Sequence, residues 1–143
     1  MFKRILVPLD GSEAAESVLP VVRAEARAHG ATVVLIRVIV PFRATLMVSP
    51  SLLEQAAAQI LPMIESYMES AAEDLRSEGF TVETVIEQGQ PAEGILEYAE
   101  GAGIDLIIIA SRGETSASRW RFGSVANKIV RTKTPMPVLV VTT

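Results

Sequence analysis

The chain has 143 residues, of which 49% are hydrophobic and 21% are charged, and its 17 acidic and 13 basic residues give a formal net charge of −4. This composition indicates one compact domain, residues 1–143, and the acidic balance argues against a general nucleic-acid-binding surface. The sequence has no run of about 18 apolar residues, so it predicts no membrane span. The opening MFKRILVPLD lacks the longer apolar core of a signal peptide. The absence of cysteine excludes disulfides, thiolate nucleophiles and cysteine-ligated metals. We therefore expect a cytoplasmic protein whose partners include neither a nucleic acid nor a membrane.

The first part of the chain predicts a strand, a helix and a second strand. Residues 5–9 are a short apolar run that Asp10-Gly11 ends. Ser12 is a good N-cap for a helix that should extend to about residue 28, although Pro20 is awkward inside it. Residues 32–40 predict the second strand, because VVLIRVIV within them is apolar except for Arg37. Such a unit makes a right-handed parallel crossover.

The middle of the chain is harder to interpret. Residues 41–61 predict a loop followed by a helical segment that kinks near Pro62. A helix with an apolar stripe then follows and ends at Gly79. Residues 80–87 alternate apolar and polar side chains, which is typical of a strand near the edge of a sheet.

The last part of the chain repeats the alternation. We expect a helix that begins at Pro91, followed by an apolar strand at residues 106–109 that is buried on both faces. A further helix should begin near Ser124, and residues 136–141 should be the last strand. Five strands joined by four helical crossovers predict an open, doubly wound, Rossmann-like parallel α/β sheet with helices on both faces.

Residues 106–125 carry the most informative pattern, because a glycine-containing loop follows the buried strand. Gly113 lies in that loop, and Gly123 and Ser124 come where helical periodicity begins, with Ser124 as the predicted cap. A helix amino terminus offers unpaired N–H groups and the positive end of its dipole, and glycine lets phosphate oxygens come close. The alternative is an ordinary connection whose glycines only shape turns.

A second polar group follows the first strand, in Pro8-Leu9-Asp10-Gly11. Ligands of doubly wound sheets bind beyond the carboxyl ends of the strands, where the strand order reverses. If the first and fourth strands are neighbours, Asp10 faces the same crevice as the glycine loop and can accept a hydrogen bond from a ribose hydroxyl or a base amine. The alternative for Asp10 is an Asp-Gly turn with a local backbone bond.

The chain resembles the universal stress protein family of single-domain, nucleotide-binding type. The resemblance runs through RILVPLDGSE, VVLIRV, GQPAEGILEYA and PVLVV, which is nearly the whole chain apart from residues 42–62. The family motif is G-x2-G-x9-G-(S/T), and its four defined positions are occupied here by Ala110, Gly113, Gly123 and Ser124. The resemblance implies the strand order 3-2-1-4-5, bound ATP with Mg²⁺, and a homodimer that pairs the C-terminal strands.

The resemblance also implies which residues surround the nucleotide. Pro8, Asp10 and Val38 would lie around the adenine and ribose, and residues 109–113 would pass the ribose and the first phosphates. Gly123, Ser124 and Val125 would hold the phosphate tail through backbone N–H groups and the serine hydroxyl. The candidate binding residues are Pro8, Leu9, Asp10, Val38, Ile109, Ala110, Arg112, Gly113, Gly123, Ser124 and Val125.

Two positions depart from the family pattern. Ala110 replaces the first glycine of the motif, and Ser116 stands where many ATP-binding members have another glycine. If Ala110 needs a positive φ, its methyl group costs roughly 1–2 kcal/mol; otherwise the methyl group only limits how closely the ligand approaches. Arg112, Arg119 and Arg121 place positive charge in or beside the loop.

The leading hypothesis is a cytoplasmic ATP-binding module of stress response or signalling, in which the nucleotide tunes an interaction with an unidentified protein. Phosphoryl transfer needs a positioned metal and charge stabilisation, yet the loop has no Walker lysine and the sequence names no protein ligand for Mg²⁺. Slow ATP hydrolysis or autophosphorylation at serine or threonine is therefore an alternative, and so is a dimeric interaction protein with a vestigial site. An electron-transfer flavoprotein-like domain shares the sheet, but the sequence has neither a second domain nor a flavin motif.

Overall fold

Strands and helices alternate through the part of the chain that the structure describes. The computed structural model covers residues 1–41, 49–112 and 122–142. In chain order the elements are β1 (Arg4–Pro8), α1 (Glu13–Glu16), α2 (Leu19–His29), β2 (Thr32–Ile39), α3 (Pro50–Ser77), β3 (Val82–Gln88), α4 (Pro91–Gly101), β4 (Leu106–Ala110), α5 (Ser124–Arg131) and β5 (Val138–Val141).

The five strands form one parallel sheet in the order β3-β2-β1-β4-β5. This confirms the predicted doubly wound α/β fold and its strand order. The chain leaves β1 in one direction to build β2 and β3, and then returns to the other side of β1 to build β4 and β5. The order therefore reverses between β1 and β4, which is where such sheets bind ligands.

Alternate residues of the central strands pack against two helical layers. In β1, Ile5 and Val7 belong to the core beneath α1, α2 and α3, whereas Leu6 belongs to the core beneath α4 and α5. All three side chains are 0% exposed. Burial on both faces explains why the central strands are continuous apolar runs rather than alternating ones.

The sequence predicts one continuous helix from Ser12 to about residue 28. This prediction is wrong, because the structure has two helices there. Ser12 is the N-cap of α1, and its Oγ accepts a hydrogen bond from the Ala15 N–H at 3.1 Å. α1 ends at Glu16, and α2 begins at Leu19 with Pro20 in its first turn. Proline lacks an N–H and crowds the carbonyl four residues earlier, so the chain starts a new helix around Pro20.

α3 also differs from expectation. The sequence predicts a helical segment before Pro62 and a helix after Met63, but the two are one continuous helix of 28 residues with Pro62 inside it; the kink expected near Pro62 stays a prediction. Pro62 leaves the Ala58 carbonyl without its helical N–H donor, and both residues are exposed, so water can supply the missing bond. Residues 42–48 of the predicted loop lie outside the described residues. Among the helices in the described ranges, none has the length and hydropathy needed to cross a bilayer.

The start of α5 corrects a further prediction. The sequence predicts Ser124 as the cap of this helix, but Ser124 is the first helical residue, and the N-cap is Gly123 with an extended backbone (φ −61°, ψ 167°). Ala126 and Ile129 are the buried residues of α5, whereas Val130 is 43% exposed. The last strand is shorter than expected and begins at Val138.

The two edge strands of the sheet differ in their surface chemistry. β3 has the predicted alternation and the predicted edge position, and it exposes Glu83, Glu87 and Gln88. Charged side chains on an edge strand discourage pairing with another sheet. β5 has the sequence VLVV, all four residues are half-buried, and β4 is its neighbour within the described chain. β5 is therefore an apolar edge without such charges.

Candidate functional site

A cavity of about 600 Å³ opens beyond the carboxyl ends of β1 and β4. The two strands are neighbours, with Ile5 opposite Leu106, as the hypothesis of a shared crevice requires. The cavity lies where the strand order reverses, and its volume is within the range of small-molecule sites.

The cavity brings together every candidate binding residue that the structure describes. The residues are Pro8, Leu9, Asp10, Val38, Ile109, Ala110, Arg112, Gly123, Ser124 and Val125. Gly113, Ser116, Arg119 and Arg121 lie outside the described residues. The turn after β1 and the start of α5, which are far apart in the sequence, thus face one space.

The amino terminus of α5 faces this cavity with an uncapped first turn. Gly123 provides no side-chain hydrogen bond to the helix, whereas Ser12 and Ser49 cap α1 and α3 with their hydroxyl groups. The first N–H groups of a helix have no acceptor within it. Together with the positive end of the helix dipole, they make this end of the cavity suited to an anion.

The backbone N–H of Gly123 forms a hydrogen bond within the protein. It donates a hydrogen bond to the Ser111 carbonyl at 2.5 Å, and the Ser111 N–H donates to the Val141 carbonyl at 2.8 Å. These bonds fasten the start of α5 to the ends of β4 and β5. The helix N–H groups available to a ligand therefore begin at Ser124 rather than at Gly123.

Charged side chains on the wall also favour an anionic ligand. Arg37 of β2 and Arg112 after β4 contribute two positive charges, and Asp10 contributes one negative charge. Arg37 Nη1 lies 3.4 Å from the position that a Cβ on Gly11 would occupy, and Gly11 has a φ of +89°. Gly11 therefore makes the turn possible and leaves room for the guanidinium group.

Asp10 is both a turn residue and a cavity residue. Its Oδ1 accepts hydrogen bonds from the Ser12 N–H at 2.9 Å and from the Ser12 Oγ at 2.5 Å. This is the local bond that the turn hypothesis predicts. Asp10 also lines the cavity, so the local turn and a contact with a ligand are compatible, and the role of Asp10 towards a ligand stays a prediction.

The part of the cavity between β2 and α4 is apolar. Val38 lies on one side, and Pro91 and Ile95 from the first two turns of α4 lie on the other. Val40, which is 48% exposed, extends this surface at the rim. An apolar wall of this kind suits the flat face of a nucleobase.

Sequence reasoning misses several wall residues. They are Ala15, Ile36, Arg37, Val40, Pro91, Ile95, Phe122 and Ala126. Arg37 carries a signal, since it is the single charge in an otherwise apolar strand. Pro91 and Ile95 carry none, because only the packing of α4 against β2 brings them to the cavity.

Ala110 occupies the first glycine position of the motif without backbone strain. It is the last residue of β4, and no non-glycine residue in the described ranges has a positive φ. Its side chain is 5% exposed and belongs to the core beneath α1, α2 and α3. The methyl group therefore restricts only the closeness of a ligand.

We predict that Ala110→Gly leaves the affinity for ATP, the ligand that the resemblance implies, equal or slightly improved, within about threefold, because there is no strain to relieve. The free energy of unfolding should fall by about 0.5–1 kcal/mol, since glycine weakens a strand. Isothermal titration calorimetry and urea denaturation measure the two effects. A clear loss of affinity would mean that Ala110 is fitted to a different ligand pose.

Tyr67 of α3 is a titratable residue close to the cavity wall. Its hydroxyl oxygen is buried and has no hydrogen-bond partner among the residues that the structure describes. Burial raises the pKa of Tyr67 from 10.0 to about 12, the negative charges of Glu16 and Asp10 add to the rise, and Arg37 opposes it. The fold therefore favours the neutral phenol.

We predict that Tyr67→Phe leaves the free energy of unfolding at pH 8 unchanged or raises it by up to about 1 kcal/mol, because the lost hydroxyl had no partner. Since the folded pKa is raised, the contribution of Tyr67 to stability is complete below pH 10 and is lost as the pH rises through about 12. Urea denaturation of both proteins at pH 8 and pH 11 tests this. If the free energy of unfolding falls by the same amount between pH 8 and pH 11 in the wild type and in Tyr67→Phe, the predicted role of Tyr67 is contradicted.

Comparison with known proteins agrees with this fold. Residues 1–142 match the universal stress protein family. A universal stress protein of Thermus aquaticus is 33% identical over 147 residues, which cover 99% of each chain. Universal stress protein MJ0577 of Methanocaldococcus jannaschii is 31% identical over 155 residues, which cover 99% of this chain and 95% of that protein.

Solved structures give the same result. The structure of MJ0577 superposes with a TM-score of 0.87 at 32% identity, covering 100% of this chain and 97% of that chain. A universal stress protein of Archaeoglobus fulgidus in complex with dAMP has the same fold, with a TM-score of 0.69 at 22% identity over 98% of this chain and 97% of that chain. From its strand order, its cavity and these matches, the chain belongs to the universal stress protein family.

Proposed function

We propose that this chain is a cytoplasmic ATP-binding module of stress response or signalling, whose bound nucleotide tunes its interaction with a protein partner. In this proposal the adenine packs on the apolar wall beside Val38, and Asp10 accepts a hydrogen bond from the ribose. The phosphates meet the first turn of α5 at Ser124 and Val125, with Arg112 nearby.

The observation that carries the proposal is the division of the cavity into two chemically different ends. One end is the apolar wall between β2 and α4, and the other is the uncapped amino terminus of α5. A nucleotide has the same division, because a flat base is joined to a polyanionic tail. The dAMP complex of the Archaeoglobus fulgidus relative supports a nucleotide as the ligand class.

We also propose that Mg²⁺ arrives with the nucleotide. Mg²⁺ commonly binds substrate phosphates and water, with few protein ligands. The described residues contain no group of three or more His, Cys, Asp or Glu side chains that could hold a metal ion. When bound, the ion would offset part of the phosphate charge, while the protein groups named above would hold and orient the nucleotide.

The proposal includes a homodimer that forms through β5. An exposed apolar edge strand invites association unless it is paired or covered. Antiparallel pairing of two β5 strands about a two-fold axis would satisfy the outward N–H and C=O groups of both copies. A dimeric interaction protein with a vestigial nucleotide site would share this surface and differ only in the cavity.

The experiment that tests the nucleotide is denaturation of the protein as purified, followed by mass analysis of the released small molecules. We expect ATP. Release of ADP alone would favour slow hydrolysis, and release of no nucleotide would favour the interaction protein. Calorimetric titration of nucleotide-free protein with MgATP then separates a site that never binds from one that lost its ligand during purification.

A further inference from the structure

Gly94 is a helical glycine whose presence is not explained by backbone conformation. It lies in the second turn of α4, its N–H donates to the Gln90 carbonyl at 2.8 Å, and its φ is not positive. Glycine is less favourable in a helix than any residue other than proline. The reason for this glycine must therefore lie in packing.

The packing reason is Val38. A Cβ placed on Gly94 would lie 3.0 Å from Val38 Cγ1 and 3.1 Å from Val38 Cγ2. Both methyl groups of the valine are involved, and a β-branched side chain has few alternative rotamers, so Val38 cannot simply turn away. The backbone of α4 thus rests directly on the valine side chain.

This contact lies at the apolar end of the cavity. Val38 lines that end from β2, and Pro91 and Ile95, on either side of Gly94 in the sequence, line it from α4. A methyl group on residue 94 would move α4 away from the sheet or push Val38 towards the cavity. Either movement changes the separation between the two apolar surfaces.

We propose that Gly94 is a positioning residue for the nucleobase, because its close contact with Val38 sets the separation between Val38 and the cavity-lining residues Pro91 and Ile95 of α4. The inference rests on the proposed function, since it assigns a base to this end of the cavity. Gly94 acts through Val38, Pro91 and Ile95, which would touch the base themselves.

Gly94→Ala is expected to weaken ATP binding about tenfold, because one added methyl group overpacks a fitted contact. Gly101→Ala is the matched control, since Gly101 is also in α4, has no positive φ, and has no heavy atom within 4 Å of an added Cβ. The control should bind ATP within about twofold of the wild type. Calorimetry on nucleotide-free proteins measures all three affinities.

Repeating the Gly94→Ala substitution in a Val38→Ala protein distinguishes an effect through Val38 from a general effect on helix α4. Val38→Ala removes both methyl groups that a Cβ on residue 94 would meet, and the next nearest atom, the Cβ of residue 38, lies at 3.6 Å. In that background Gly94→Ala should change ATP affinity by less than about twofold. A change in helix propensity would instead act equally in both backgrounds.

Each outcome has a distinct meaning. Equal losses in the two backgrounds, or a Gly94→Ala variant that binds ATP as the wild type does, overturn the inference and leave the proposed function intact. A wild type that binds no ATP overturns the proposed function, and the inference with it. Circular dichroism of each variant confirms that the protein under test is folded.

Discussion

Gly123→Val is expected to reduce ATP affinity by at least about a hundredfold, or about 2.7 kcal/mol. Gly123 lines the cavity immediately before the uncapped turn of α5, so a branched side chain there occupies space beside the Ser124 and Val125 N–H groups. Valine is also a poor N-cap, which should lower the free energy of unfolding by about 1 kcal/mol without unfolding the sheet. Calorimetry and urea denaturation measure the two effects.

Gly123→Ser is the matched variant, because it distinguishes the effect of the N-cap on stability from its effect on ligand binding. A serine hydroxyl at the N-cap accepts hydrogen bonds from the first-turn N–H groups and stabilises the helix. The variant should therefore unfold at the same or a higher urea concentration than the wild type, yet bind ATP about tenfold more weakly, since the hydroxyl competes for those donors. If both Gly123 variants bind like the wild type, the phosphates do not bind at α5.

Val140→Pro is expected to convert a dimer into monomer or aggregate while keeping the β4–β5 pairing. The Ile107 N–H donates to the Pro137 carbonyl at 3.0 Å, and the Ser111 N–H donates to the Val141 carbonyl at 2.8 Å. In a parallel ladder the bonded residues alternate along the strand, so Val140 directs its N–H towards the open edge. Proline at this position removes a donor that only a second copy would use.

Leu139→Pro is the control for that experiment. Leu139 directs its N–H towards β4 by the same alternation, so its replacement should lower the free energy of unfolding by about 1–3 kcal/mol. Val140→Pro should be affected much less in stability and more in association. Light scattering at tens of micromolar reports the mass of each protein, and a monomeric wild type would contradict the proposed dimer.

The sequence predicts the sheet well because its signals are local. Apolar runs mark the central strands, Gly30 and Gly79 follow the ends of α2 and α3, and alternation marks β3 as an edge strand. The predictions fail where two local signals compete. Ser12 favours a long helix and Pro20 divides it, and the chain satisfies both by forming α1 and α2.

The sequence predicts only one side of the site. The turn at Asp10 and the start of α5 carry motifs, and the cavity brings them together. The wall from α4 carries no motif, because Pro91 and Ile95 face the ligand only after α4 packs on β2. The contact between Gly94 and Val38 is likewise a property of two elements, and helix propensity alone would count Gly94 as a weakness.

The difference between the two edges of the sheet has a consequence for the proposed dimer, because it limits the number of copies that can join. A molecule with a single edge strand that favours pairing can join one other copy through that strand. A pair formed through β5 would leave only β3 strands at the two ends of the joined sheet. Those ends carry Glu87, which is exposed, and Glu83, which pairs with Arg4 at 2.7 Å. Charged side chains on an edge strand discourage its pairing with another sheet. In the proposed dimer, the charged β3 edges therefore favour association that ends at two copies rather than continuing into a filament.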